Sequence, residues 1–180
     1  MTERYVILDR DGTINVDSDD FIKSPEEWLP LAGSLEAIAL LNRHGYKVVV
    51  ITNQSGIARG LFDLATLAAI HAKMRQLASQ ADGHIEAIYF CPHGPNDTCD
   101  CRKPLDGLFR RFAADTQADL SRTYAIGDSL RDIQAAESAG AKPILVKTGK
   151  GEKTALNNPQ RNVPIFDNLY DAATHIVSTA

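Results

Sequence analysis

Short apolar, β-branched runs recur along the chain at Tyr5–Asp9, Lys47–Thr52, Ile85–Cys91, Tyr124–Asp128 and Pro143–Lys147. Runs of this length without strict alternation are the pattern of parallel strands buried on both faces. The stretches between them follow a longer period. Leu35, Ile38 and Leu41 share one face of a helix predicted over Ser34–His44, and Gly45 supplies its stop signal. Leu64, Leu67, Ile70, Met74 and Leu77 repeat at helical spacing between Asp63 and Gln80, with Asp63 available as N-cap; these positions read as core packing. Pro104–Ala114 and Leu130–Ala139 supply two further helices, the second ending at Gly140. From Thr148 through Asn162 the chain turns polar and rich in Gly and Lys, which predicts a mobile segment before a final helix.

Strands alternating with helices imply an α/β fold: a parallel sheet, right-handed crossovers and helices on both faces. Ligands of such sheets bind at the carboxyl ends of the strands. With 180 residues, one core suffices, and a single domain over residues 1–180 is expected.

Composition narrows the function classes. Hydrophobic residues make up 44% and charged residues 23%, which excludes neither an enzyme nor a binding domain but argues against disorder. The longest apolar stretch, Val48–Ile51, is far short of the roughly 20 residues of a membrane span. Met1–Arg4 lacks the regions of a signal peptide, so a cytoplasmic location is expected. A net charge of -4 and 7% aromatic residues argue against a nucleic-acid partner. The Gly149–Thr154 segment departs from the phosphate-loop pattern of ATPases, because Glu152 precedes Lys153-Thr154.

Chemistry concentrates at strand ends. The first strand delivers Asp9-Arg10-Asp11-Gly12-Thr13, and residues two apart on a strand point to one face, so two carboxylates share a pocket. An ionised Asp9 attacks phosphorus without a general base, provided a cation offsets repulsion from an anionic substrate. Asp11 is placed to give and take a proton, which calls for a raised pKa. Arg10, between them, points away from that face and serves packing or surface charge. Ser129-Leu130-Arg131-Asp132 has the spacing of a capping box, so Asp132 reads either as a cap or as an outer metal group.

Three cysteines, odd in number and crowded between Cys91 and Cys101, do not make a disulfide framework. Cys91, His93, Cys99 and Cys101 instead offer four donors for a closed, structural zinc site in a loop spanning residues 91–101. Bracing that loop also fixes Arg102 and Lys103, which follow it directly.

Thr52-Asn53 at the second strand's end, Lys103-Pro104 before a helix, and Gly127-Asp128 at the fourth strand's end complete a set. Together with the DxDGT element, this set resembles the haloacid dehalogenase superfamily of phosphatases over roughly Val6–Lys147. The zinc loop and Thr52–Gly60 are similar to the branch that holds bacterial heptose-bisphosphate and histidinol-phosphate phosphatases. The resemblance implies a three-layer Rossmann-like fold. It also implies Asp9 as nucleophile, Asp11 as acid and base, Thr52 with Asn53 as phosphate holders, and Lys103 as the neutralising cation. Magnesium would be held by Asp9, Asp128 and the Asp11 backbone carbonyl. No long insertion follows Asp11 or the middle strands, so no large cap domain is expected.

The implied reaction is magnesium-dependent removal of the C7 phosphate of D-glycero-D-manno-heptose 1,7-bisphosphate through an aspartyl-phosphate, in the supply of lipopolysaccharide or related heptose. Histidinol phosphate or another small phosphorylated metabolite is an alternative substrate. A catalytically silent zinc-containing module that binds phosphosugars is the alternative from a different class. The non-reacting phosphate of a sugar bisphosphate needs its own cations; Arg59 and Arg102 are the preferred pair, with Lys147 and Lys150 as further candidates. A monomer acting on a small phosphorylated sugar, with no nucleic acid and no membrane partner, is the expectation.

Overall fold

Six strands form one sheet in the order β3-β2-β1-β4-β5-β6, all parallel: β1 Arg4–Leu8, β2 Tyr46–Asn53, β3 Ile85–Cys91, β4 Tyr124–Gly127, β5 Lys142–Val146 and β6 Ile165–Phe166. The helices are α1 Ser34–Arg43, α2 Leu64–Gln80, α3 Gly107–Thr116, α4 Leu130–Ala139, α5 Gly151–Asn157 and α6 Leu169–Ser178. This computed structural model describes residues 3–180, so the leader-free start expected for Met1–Arg4 falls partly outside the described residues. No helix among the described residues is long and apolar enough to cross a membrane.

Alternation along the strands assigns side chains to two cores. Val6, Leu8, Val48 and Val50 pack with Ile38 and Leu41 of α1, Ile70 and Met74 of α2, and Ala172 and Ile176 of α6. Tyr5, Ile7, Val49 and Ile51 face the other way, against Phe109 and Phe112 of α3 and Ala135 and Ala136 of α4. Helices therefore sandwich the sheet in three layers, and the apolar runs lack simple polar alternation because both strand faces are buried. Asp63 caps α2 by accepting the Thr66 N–H at 2.7 Å, and Gly140 ends α4 in the left-handed region at φ 78°.

Three expectations change. The third helix begins at Gly107 instead of Pro104, because Arg102–Asp106 forms a turn closed by Leu105 N–H on Arg102 O and Gly107 N–H on Asp100 O, each at 2.9 Å. The 148–162 segment contains α5 and is tied to the sheet's carboxyl edge: Thr148 Oγ1 donates to Gly12 O at 2.7 Å and Thr154 Oγ1 to Asp128 O at 2.9 Å. A two-residue edge strand, β6, precedes the last helix.

The connection from β1 to α1 carries only a 3-10 helix, Pro25–Glu27. It is anchored by the fully buried Trp28 and by Lys73 of α2, whose Nζ donates to Pro25 O at 2.6 Å and Trp28 O at 2.8 Å. The loops after β1 and β2 thus lie over the sheet's carboxyl end without a folded cap, leaving a cavity of about 240 Å³ whose walls include Asp9, Asp11, Asp17, Phe21, Lys103 and Asp128.

Candidate active site

Asp9 follows the last residue of β1 and stays in the sheet's hydrogen-bonding pattern, its N–H donating to Ile126 O at 2.9 Å. Two residues later Asp11 reaches the same cavity, as strand geometry requires. Gly12 then turns the chain at φ 81°, and Gly149 approaches it from the far loop at φ 56°. A Cβ on either glycine would collide with Asp128 Oδ2, and one on Gly149 would lie 2.6 Å from Gly12 Cα. The absence of side chains at both points lets β1, β4 and the loop after β5 converge.

Lys103 links the carboxylates. Only 4% exposed, its ammonium donates to Asp132 Oδ1 at 2.7 Å, Ile51 O at 2.8 Å and Asp9 Oδ1 at 2.9 Å. Burial opposes the charge, but Asp132 and Asp9 outweigh it and hold the ammonium above its ordinary pKa. Asn53 positions the lysine's backbone, accepting the Lys103 N–H at 3.0 Å and donating to Lys103 O at 3.1 Å. The Asn53 amide is thereby occupied by the chain itself. Thr52 is buried, and its hydroxyl accepts from Gln54 Nε2 at 3.0 Å.

Asp132 is the cap that its spacing allowed, and it is also an ion-pair partner of Lys103. Its Oδ2 completes the capping box with Ser129, accepting the Ser129 N–H at 3.0 Å, while Oδ1 faces Lys103. Asp9, Asp128 and Asp132 bring carboxylate oxygens within 4.8 Å of one another. With Asp132 bound to Lys103, the negative charge on Asp9 and Asp128 is only partly offset. Burial and neighbouring carboxylates push Asp9 up to about 7 and Asp128 up to about 8, against the relief that Lys103 gives Asp9 and the Lys150 N–H gives Asp128. A hard, oxygen-lined pocket that disfavours its own charge fits a divalent cation such as magnesium.

Asp11 behaves oppositely, and the expected raised pKa is not found. Burial would raise it, but the Arg10 charge and hydrogen bonds from Asn15, Arg10 and Gln54 prevail and hold the carboxyl below its usual range. Arg10 is accordingly neither surface charge nor packing alone: it is fully buried, and its guanidinium turns back onto Asp11 Oδ1, with Nη2 at 2.8 Å and Nε at 3.1 Å. Gln54, which donates to Asp11 Oδ2 at 3.0 Å, and Asn15, which donates to Oδ1 at 3.0 Å, are missed by a reading of motifs. The position of Gln54 two residues beyond Thr52 was the signal available for it.

At the mouth, Arg59 lies over the Phe21 ring at 5.3 Å and Arg102 Nη1 donates to His93 O at 3.2 Å. Burial and the charges of Arg131 and Arg59 depress the Arg102 pKa, although the neighbouring cysteines raise it. Arg131, in the first turn of α4, is a third cation of this wall that motif spacing did not reveal. Lys150 also lines the cavity, 3.6 Å from Asp17, whereas Lys147 pairs with Asp167 at 2.9 Å and does not line it.

Cys91, His93, Cys99 and Cys101 converge with their donor atoms within 4.8 Å of one another. The Cys91 and Cys99 sulfurs are 3.9 Å apart, against an edge of about 3.8 Å for a tetrahedron with Zn–S bonds of about 2.3 Å, and the Cys91 and Cys101 sulfurs are closer, at 2.9 Å. His93 Nδ1 lies 3.4 Å from Cys91 Sγ and 3.3 Å from Cys101 Sγ. This donor set fits zinc.

The model of the HAD-hyrolase-like family matches residues 100–172. A D-glycero-beta-D-manno-heptose-1,7-bisphosphate 7-phosphatase of Pseudomonas aeruginosa is 48% identical over 177 residues, 98% of this chain and 99% of its own length. One from Bordetella bronchiseptica is 57% identical over 151 residues, 84% of each chain. The crystal structure of D,D-heptose 1,7-bisphosphate phosphatase from B. bronchiseptica, complexed with magnesium and phosphate, superimposes with a TM-score of 0.95 at 50% identity, over 98% of this chain and 99% of that one. Identity at this level over nearly the full length of both chains, on the same fold, means that the chain belongs to the D-glycero-beta-D-manno-heptose-1,7-bisphosphate 7-phosphatase family of HAD-like hydrolases.

Proposed function

We propose that the chain removes the C7 phosphate of D-glycero-β-D-manno-heptose 1,7-bisphosphate, using Asp9 as nucleophile. The observation that carries this reading is the Lys103 ammonium between Asp9 and Asp132, beside Asp128, at the floor of a cavity whose mouth carries Arg59, Arg102 and Arg131. One end of that cavity suits a phosphoryl group under attack; the other suits a second anion. Relatives that cover nearly the full chain at about half identity are heptose enzymes, at 48% and 50%.

Magnesium, which accompanies phosphate in the B. bronchiseptica structure, would be held by Asp9, Asp128 and the Asp11 carbonyl, where it would neutralise charge on the transferring group. Asp9 supplies the carboxylate oxygen that bonds phosphorus. Lys103 holds that carboxylate in place and offsets charge on the phosphoryl oxygens. Asp11 protonates the departing C7 oxygen, then takes a proton from the water that hydrolyses the aspartyl-phosphate. The incoming phosphate dianion brings negative charge beside Asp11, which favours the protonated form that the first half-reaction needs. Thr52 supports the phosphate site through Gln54, and Asn53 acts by fixing Lys103.

Zinc in the 91–101 loop would have four protein ligands and no open position, so its role is to brace the approach to Arg102 and Lys103. On this reading the enzyme acts as a monomer in the cytoplasm, and its product serves the supply of lipopolysaccharide or related heptose.

The test is phosphate release from both anomers of heptose 1,7-bisphosphate and from histidinol phosphate, with and without magnesium, using Asp9→Asn as control. Magnesium-dependent preference for the β-anomer, lost in the variant, is expected; equal or better turnover of histidinol phosphate would overturn the substrate assignment.

A further inference from the structure

We infer that Arg10 and His71 are positioning residues for the reaction: a buried guanidinium–imidazole pair clamps Asp11 Oδ1 and leaves Oδ2 as the oxygen that carries the proton. The inference rests on the reading of Asp11 as acid and base given above.

Arg10 is 0% exposed, and Asp11 is its ion-pair partner. A buried cation is costly unless paired, and a bidentate fork would share its donors between two carboxylate oxygens. Here Nε and Nη2 converge on one oxygen, Oδ1, at 3.1 and 2.8 Å, and Asn15 Nδ2 adds a third donor to it at 3.0 Å. Three N–H groups saturate the lone pairs of Oδ1 and leave it no capacity to bear a proton. Oδ2 accepts from Gln54 Nε2 at 3.0 Å, which keeps a lone pair for proton exchange.

The remaining edge of the guanidinium meets His71. Arg10 Nη1 lies 3.2 Å from His71 Nε2, which is carried by helix α2. A guanidinium only donates, so Nε2 must present a lone pair and the imidazole is neutral with its proton on Nδ1. The buried surroundings, 8% exposure and the adjacent Arg10 charge all disfavour imidazolium at this place. His71 therefore fixes the plane of the guanidinium, and the guanidinium fixes the carboxylate.

In the first half-reaction the Asp9–phosphorus bond forms, the bond from phosphorus to the sugar oxygen breaks, and the Oδ2 proton passes to that oxygen. In the second, a water oxygen bonds phosphorus, its proton passes to Oδ2, and the Asp9–phosphorus bond breaks. Both steps need Oδ2 aimed into the cavity. Loss of the clamp should therefore slow phosphoryl transfer from leaving groups that require protonation more than from those that do not, while hydrolysis of the aspartyl-phosphate, common to both, slows equally.

The experiment compares kcat/KM, which covers steps only through departure of the leaving group, for heptose 1,7-bisphosphate, an alkyl phosphate, and for 4-nitrophenyl phosphate, whose phenolate leaves with little assistance. Asp11→Asn sets the benchmark for loss of proton transfer. Arg10→Met is expected to lower the alkyl-to-aryl ratio by about 10²-fold, approaching Asp11→Asn. His71→Leu should lower the ratio about tenfold, with His71→Gln, which keeps an acceptor, recovering most of it. The His71 pair decides the matter where Arg10→Met fails to fold. An unchanged ratio in the folded Arg10 or His71 variants, with the ratio lowered in Asp11→Asn, would overturn the clamp alone. An unchanged ratio in Asp11→Asn would overturn the acid–base reading and the clamp with it.

Discussion

Lys103 Nζ donates to Asp132 Oδ1 at 2.7 Å, a shorter contact than the 2.9 Å to Asp9 Oδ1, so this lysine is held as firmly by the helix α4 cap as by the proposed nucleophile. Breaking one side of a buried ion pair costs about 3–5 kcal/mol, because the other charge is left without compensation. Lys103→Met should therefore lower stability by about that amount and activity by about 10²–10³. Asp132→Asn should retain the cap and lose about 10–100-fold in kcat. Denaturant unfolding and phosphate release check both; an Asp132→Asn enzyme with wild-type kcat would remove the lysine-anchoring role.

The metal-free site predicts an unusual pH dependence. Asp9 and Asp128 are raised to about 7 and about 8, from about 3.9 in an unfolded chain. Between those values the native state binds more protons than the unfolded state, so stability falls as pH rises. His71, lowered to about 3, acts in the opposite sense, but only below its unfolded pKa of about 6.5. From about pH 6.5 to 8.5 the carboxylates dominate. With zinc kept bound, the melting temperature of magnesium-free protein should fall over this range, and the stabilisation by magnesium should grow. A flat or rising melting temperature there would show that Asp9 and Asp128 are not protonated in the free site.

Zinc and magnesium should separate experimentally. A zinc-selective chelator in excess magnesium, or Cys101→Ser, should lower kcat about 10–100-fold by loosening the approach to Lys103. Metal analysis should show about one zinc per chain before treatment. Full activity after complete zinc removal would confine the metal to stability.

The arginines of the mouth should act on the second phosphate of the substrate. Arg102→Ala and Arg131→Ala are each expected to raise KM for the bisphosphate about tenfold, with little change in kcat, and to leave KM for 4-nitrophenyl phosphate nearly unaltered. Equal effects on both substrates would place these residues at the reacting phosphate instead.

The strand-end residues were legible before the structure because their placement follows from local rules. Apolar runs mark β1, β2 and β4, and the polar residues immediately after them must emerge at one edge of a parallel sheet. The carboxylate pair comes from such a position and the cysteine loop from the number of its donors, whereas Lys103 was marked by the resemblance to the haloacid dehalogenase phosphatases. What could not be read depends on partners distant in the chain. Arg10 points off the strand face as alternation demands, yet its length lets the guanidinium fold back to Asp11, and His71 is 61 residues away. The α5 segment lacks an apolar stripe long enough to signal a helix; hydrogen bonds to Gly12 and Asp128 hold it in place of burial.

The contact between Gly12 and Gly149 limits how the protein can be altered. Neither residue has a functional group, yet a methyl at either would enter the space of the Asp128 carboxylate. Saturation mutagenesis should thus find inactive substitutions at two chemically silent positions, alongside the aspartates and the lysine. It follows that the floor of the pocket cannot take new side chains at these two positions. Room for redesign lies at the rim, where Phe21, Arg59 and Arg131 face the cavity from exchangeable loops and a helix end.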